Sequence, residues 1–247
     1  MQSHNPVLSR RDAFDRVPTP TPQQLQELYQ APGRMTLDDV TVKTGGLLAL
    51  IMVTGGLAWA LNVGFGVAIA AALAAFVVAL VVIFKRAVNP GLIVTYAALE
   101  GVFLGAVSHA YNDAYNGIVV QAVAGTALCF AGVLVAYRSG KLRVTPRFTK
   151  MIIGAMIGII GLMLLNLLVS LFGGSLGIRD GGGLAIVFSL VVIAVASLSF
   201  ALDFDAIERA IAQGAPERQS WLAAFGLVVG LVWLYLEILR FISYFRE

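Results

Sequence analysis

Seven apolar runs, each about 20 residues long, leave this chain few ways to fold. They lie near Thr44–Leu61, Phe65–Phe84, Leu92–Tyr111, Ile118–Tyr137, Phe148–Phe172, Leu184–Leu202 and Trp221–Ser243. A helix of about 20 residues crosses a hydrocarbon core of roughly 30 Å. Lipid offers no partner to a backbone N–H or C=O, so each run is expected to bond its backbone within itself, as a helix. The chain is 59% hydrophobic and 13% charged, against roughly 25% charged in a soluble domain. The fold class expected is an all-α polytopic membrane protein, a seven-transmembrane-helix bundle whose first partner is the lipid bilayer. No basic patch is interleaved with aromatic residues, which argues against nucleic acid. Cys129 is the single cysteine, so no intrachain disulfide can form, and His4 and His109 have no metal-ligand spacing. No cofactor is expected.

Residues 1–39 read as a polar tail, and residues 40–247 as the transmembrane domain. In the tail, Pro18, Pro20 and Pro22 alternate with threonine and resist helix. Gln23 to Tyr29 has the pattern of a short helix ahead of a Pro32-Gly33 turn. A chain that starts this polar is expected to carry no cleavable signal. Thr36 with Asp39 three residues on forms a variant capping box, with the first membrane helix following from about Val40. Asn62-Val63-Gly64 is a tight hairpin, Asn89-Pro90-Gly91 punctuates the second and third runs, and glycines 173–183 make a flexible loop.

Fourteen of the seventeen basic residues fall on one side of these runs, leaving Arg179, Arg240 and Arg246 for the other. The positive-inside rule then puts the N-terminus in the cytoplasm and the C-terminus outside. Helices in lipid associate by close backbone approach, so small residues four apart mark candidate seams: Gly101 with Gly105, Gly154 with Gly158, and Gly226 with Gly230.

Carboxylates inside such runs are the candidate functional groups, because each is costly to desolvate. The sixth run ends in Asp203, Asp205, Glu208 and Arg209, and Glu100 and Glu237 lie deep in the third and seventh. Asp203 and Asp205 point about 200° apart on a helix. Asp203 continues the small face of Ala196 and Ser199 and is the expected buried carboxylate. Asp205 can pair with Arg209 four residues on at an interfacial helix end, a plain surface arrangement. Arg240 stands three residues from Glu237 and can neutralise it, the structural alternative to a functional role. Glu100 has no basic residue within four positions, and Tyr96 one turn earlier can donate to it. Two carboxylates held close together cannot both ionise cheaply, so such a pair senses pH. Hard cations such as calcium take oxygen ligands of this kind.

Leu202-Asp203-Phe204-Asp205-Ala206-Ile207 followed by Leu234-Tyr235-Leu236-Glu237-Ile238-Leu239 resembles the end of the Bax inhibitor-1 family, the transmembrane Bax-inhibitor-motif proteins. Asn5-Pro6-Val7-Leu8-Ser9, Tyr96-Ala97-Ala98-Leu99-Glu100-Gly101 and Tyr115-Asn116-Gly117-Ile118-Val119 extend the resemblance to nearly the whole chain, closest to the bacterial branch called Bax inhibitor-1/YccA-like. The resemblance implies a seven-helix bundle with its last helix at the centre, a bacterial plasma membrane, and in some members a pH-sensitive calcium leak. It also implies a pair of acids in the sixth and seventh helices, here Asp203 and Glu237, as pH sensor and calcium ligands. Glutamate replaces the second aspartate, and the connection is about ten residues longer than the family's. From a start near Trp221, Glu237 would lie about 24 Å across the membrane. Contact with Asp203 then needs the sixth helix to run on or the seventh to start late.

Three functions compete at this level. The first is a passive pH-gated calcium or cation leak with Asp203 and Glu237 as sensor and Glu100 lining the route. The second is a non-conducting regulator that binds another membrane protein, such as a quality-control protease, through the long tail. The third, an intramembrane hydrolase, is disfavoured: Ser108 and His109 are sequence neighbours that cannot face one another, and no Gly-x-Ser-x-Gly elbow occurs. The chain is expected not to be an enzyme.

Overall fold

The computed structural model describes residues 33–85 and 88–246. The alternating prolines and the short Gln23–Tyr29 helix lie outside them. Seven helices follow in order: α1 Leu37–Ala60, α2 Phe65–Lys85, α3 Pro90–Ala114, α4 Ile118–Arg138, α5 Pro146–Leu171, α6 Gly182–Ala212 and α7 Ser220–Ser243. All seven are long and apolar enough to cross a membrane.

Local chemistry sets their starts. Thr36 Oγ1 accepts from the Asp39 amide at 3.2 Å, and the Asp39 carboxylate accepts from the Thr36 amide at 2.9 Å, the reciprocal box expected from the sequence. Its consequence is a helix that begins at Leu37, three residues before the Val40 start expected. Asn89 caps α3 and Thr145 caps α5, each followed by a proline at the first helical position. Proline is favoured there because its missing N–H would have had no helical partner. These two helices therefore begin two residues before the apolar runs do. Asn62 takes φ 49° in the α1–α2 hairpin, a left-handed conformation that asparagine tolerates.

The larger departure is α6. Its apolar run stops at Leu202, but the helix continues to Ala212, held by an Asp205–Arg209 ion pair one turn apart. It ends where Gly214 turns at φ 70°.

The last helix, α7, is the centre of the bundle and packs on α1, α3, α4 and α6. Two apolar cores meet along it. Phe200, Phe204, Leu227, Leu234 and Ile118 build one, and Leu47, Ile93, Ala97, Phe225 and Val228 build the other. α2 packs on α3, while α5 packs chiefly on α6 and turns most of its surface outward. The closest approach is α1 against α3, where a Cβ at Gly105 would run into the Gly55 backbone and one at Gly101 into Thr54 and Ile51. At Gly230 a Cβ would come within 2.8 Å of the Phe200 ring. Two of the three glycine seams thus pack helices together, at least in part. The third does not: Gly154 and Gly158 on α5 meet no neighbouring side chain, which fits a helix that faces lipid on most sides.

Among the described residues, basic side chains mark both ends of the bundle. Lys43 pairs with Glu217 at 3.0 Å at one end of the bundle. Arg179 and Arg240 meet Glu237 toward the other. There too, Arg246 donates to the Asn116 carbonyl at 2.7 Å and to Gln121 at 2.9 Å.

Candidate functional site: carboxylates at two levels of the bundle

Because α6 and α7 are antiparallel neighbours, each side chain on one is level with a definite turn of the other. Asp203 shares a pocket of about 230 Å³ with Met35, Ala210, Gln219, Leu222 and Gly226. Phe200 lies against Gly230. Ser189 donates to Glu237 at 2.6 Å. Ser189 is fourteen residues before Asp203, and Glu237 eleven after Gly226, so the two acids stand about 16–21 Å apart along the helix axes.

The pair implied by the resemblance therefore does not form in this structure. The sixth helix does run on past Asp203, as contact required, but this brings Asp203 level with Gly226 rather than Glu237. A calcium ion needs its oxygens at about 2.3–2.6 Å, so Asp203 and Glu237 cannot ligate one ion across that separation. No cluster of three His, Cys, Asp or Glu side chains suited to a metal occurs among the described residues.

Glu237 is 2% exposed and fully engaged. It accepts from Ser189, takes Arg179 at 3.3 Å and has Arg240 at 3.7 Å. The Arg240 partnership follows from the sequence. The Arg179 one does not, because Arg179 sits in the glycine-rich α5–α6 loop and reaches Glu237 only through the fold. That loop is tied down twice more: Ile178 is buried, and the Tyr244 hydroxyl donates to the Arg179 carbonyl at 3.4 Å. The only sequence signal for this closure is that Arg179 and Arg240 are two of the three basic residues assigned to the sparsely charged side.

Asp203 is half-buried and, among the described residues, has neither an ion pair nor a hydrogen bond. Its pocket is roofed by the segment just before α1. There Met35, 3% exposed, donates its amide to the Ala215 carbonyl at 2.8 Å, and Arg34 forms a bridge with Pro216. Lys43 pins the same α6–α7 connection through Glu217 at 3.0 Å and Ser220 at 2.6 Å. Asp205 points away and pairs with Arg209, as the helical angle requires.

Glu100 is half-buried on α3 and also lacks a hydrogen-bond or ionic partner among the described residues. The donation expected from Tyr96 is absent, since that ring packs edge-on against Phe225 at 5.0 Å. Tyr96 meeting Phe225 and Ser108 meeting the Tyr235 hydroxyl at 2.6 Å show that α3 runs parallel to α7. Glu100 is therefore within about one helical turn, ~5 Å, of the depth of Asp203, with α7 between them. The Ser108–Tyr235 bond also occupies the serine considered as a nucleophile.

A family model described as Bax inhibitor 1 like matches residues 5–247. No curated protein matches the chain.

Proposed function

This chain belongs to the Bax inhibitor-1 family, and on that premise we propose that it is a pH-sensitive leak for calcium or a similar cation. Asp203 is its entry carboxylate and Glu100 a second one at similar depth. The observation that carries this reading is the open pocket at Asp203: an acid unpaired among the described residues, at the basic end of the bundle, beside the central helix. An ionised carboxylate there attracts a cation, and a proton on it removes that attraction. Glu237, enclosed by two arginines at the opposite end, acts as a closed gate rather than as a partner of Asp203. The Met35 strap over the pocket adds a cover at the entry end. Nothing in this scheme requires catalysis or a cofactor. By the charge asymmetry, the Asp203 end faces the cytoplasm of a bacterial plasma membrane, with the C-terminus outside.

Calcium flux into liposomes containing the full chain tests it. Asp203→Asn with Glu100→Gln should cut the flux by roughly tenfold, as expected when about one charge–cation interaction is lost on each of two steps. Unchanged flux would remove the leak and leave the second reading, a non-conducting regulator of another membrane protein. That reading is favoured by one observation: the residues that roof the Asp203 pocket are those that join directly to the polar tail. Deleting Met1 to Gly33 separates the two, since a leak survives the deletion and a tail-dependent interaction does not.

A further inference from the structure

A second cavity, of about 400 Å³, lies between α1 and α4 and is backed by α6 and α7. α1 and α4 each pack on α7 rather than on one another, which leaves a lateral cleft in the ring of helices. Its inner wall is apolar, formed by Leu48, Phe130, Leu134, Phe204 and Leu227. The rim, at the basic end of the bundle, is polar, with Thr41, Tyr137, Arg138 and Glu208. From Phe130 to Arg138 and from Leu37 to Leu48 the walls run about 12–16 Å along the helices, roughly half of a 30 Å hydrocarbon core. The volume falls in the range of ligand sites, about 300–1,000 Å³.

One side chain points to an occupant. Thr44 is 8% exposed, lines the cleft, and its hydroxyl has no hydrogen-bond partner among the described residues. The other helical threonines, Thr41, Thr54, Thr95, Thr126 and Thr149, all donate to the carbonyl one turn back. Thr44 alone among the described residues does not. A buried hydroxyl left without a partner is costly, and its neighbours show that the usual remedy is open to any helical threonine.

We propose that the cleft holds one glycerophospholipid with a primary ammonium headgroup. An acyl chain lies against Phe130, Leu134 and Leu227, and the Thr44 hydroxyl donates to an ester carbonyl. The phosphate meets Arg138, which makes no ion pair among the described residues. The ammonium meets Glu208, whose carboxylate is already oriented by the Tyr137 hydroxyl at 2.7 Å. The two signs at the rim match a headgroup carrying both, and Glu208 disfavours one that is only anionic. This site adjoins the Asp203 pocket across Ile207, which lines both, but uses other polar groups and is independent of whether the chain conducts.

Native mass spectrometry of the full chain in detergent, offered phosphatidylethanolamine, phosphatidylglycerol or phosphatidylcholine, tests the assignment. One phosphatidylethanolamine should remain per chain, roughly tenfold more tightly than phosphatidylglycerol, and Arg138→Gln should lose about the same factor. Thr44→Val should weaken retention by a smaller factor. Gly45 lines the cleft and has open space around its Cβ position, so Gly45→Phe is the substitution chosen to fill the cavity. It should abolish retention, whereas Gly46→Phe, one position away and outside the cleft, should not. Equal thermal midpoints for these two variants would show that both fold. Glycerophosphoethanolamine, the headgroup without chains, should compete only weakly; strong competition would overturn the acyl-chain assignment. Tighter retention of phosphatidylglycerol would overturn the headgroup assignment. Equal retention of all three lipids, unchanged by Gly45→Phe, would overturn the cleft as a lipid site.

Discussion

The two ends of the α6–α7 pair handle the same chemical problem in opposite ways. At one end Glu237 is buried, bonded to Ser189 and flanked by Arg179 and Arg240. At the other, Asp203 looks into a pocket with no cation and no hydrogen bond among the described residues. A carboxylate in an apolar bundle is tolerated either by neutralisation or by access to water. The first makes a structural tie and the second leaves a charge available to something that arrives from outside. The contrast separates a carboxylate that holds the bundle from one that is free to work.

The variants that test this contrast differ most at the closed end. Glu237→Ala should destabilise the protein by about 3 kcal/mol, because it leaves Arg179 and Arg240 without their anion, partly offset by their access to solvent. A reversible unfolding titration in detergent measures it, and a loss near zero would break the comparison. Arg179→Ala should cost less, about 1–2 kcal/mol, since Ser189 and Arg240 remain on Glu237. It should also make the α5–α6 loop more open to proteolysis; if the loop stays protected, Arg179 is not what holds it. At the open end, a lysine can be offered to Asp203 from Gly226, which lines the pocket and has open space at its Cβ position. Gly226→Lys should change stability by no more than about 1 kcal/mol, while suppressing calcium flux in liposomes. Undiminished flux would show that neutralising Asp203 is irrelevant. The smallest effect is expected from Asp203→Asn, within about 0.5 kcal/mol of the parent, because no partner is lost. A cost as large as that at Glu237 would reveal a hidden partner and erase the difference between the ends.

Much of this was legible before the fold was known, where the deciding interaction is local. The Thr36–Asp39 box, the Asp205–Arg209 pair and the proximity of Arg240 to Glu237 all span three or four residues, so helical spacing is enough to predict them. Other features needed more than spacing. The apolar run of α6 ends at Leu202 and the helix does not, because the ten residues that follow mix charges that pair along the helix, Asp205 with Arg209, with Phe204 and Ile207, which still bury into the core. Glycines four apart recur on α3, α5 and α7, but which of them meets a neighbour depends on where each helix sits. α7 is central and largely buried, and α5 is peripheral and largely exposed.

The candidate site divides along the same line. Sequence alone singled out Glu100, Asp203 and Glu237, because an acid in a membrane-length helix is conspicuous wherever the helix ends up. It could not assign their neighbours. The depth of Asp203 relative to Glu237 depends on the register between α6 and α7, which is set by how far α6 runs on and by Phe200 seating against Gly230.

By itself, then, the sequence determined seven helices and the Thr36–Asp39 cap of the first, since each depends on residues within a turn or on the length of an apolar run. Only the tertiary structure decided that Arg179 returns from a loop to close over Glu237, that Met35 roofs Asp203, and that α1 and α4 part to leave a cleft beside Thr44. Those contacts join residues far apart in the chain, and packing between helices, unlike helix formation, is fixed by shape rather than by periodicity.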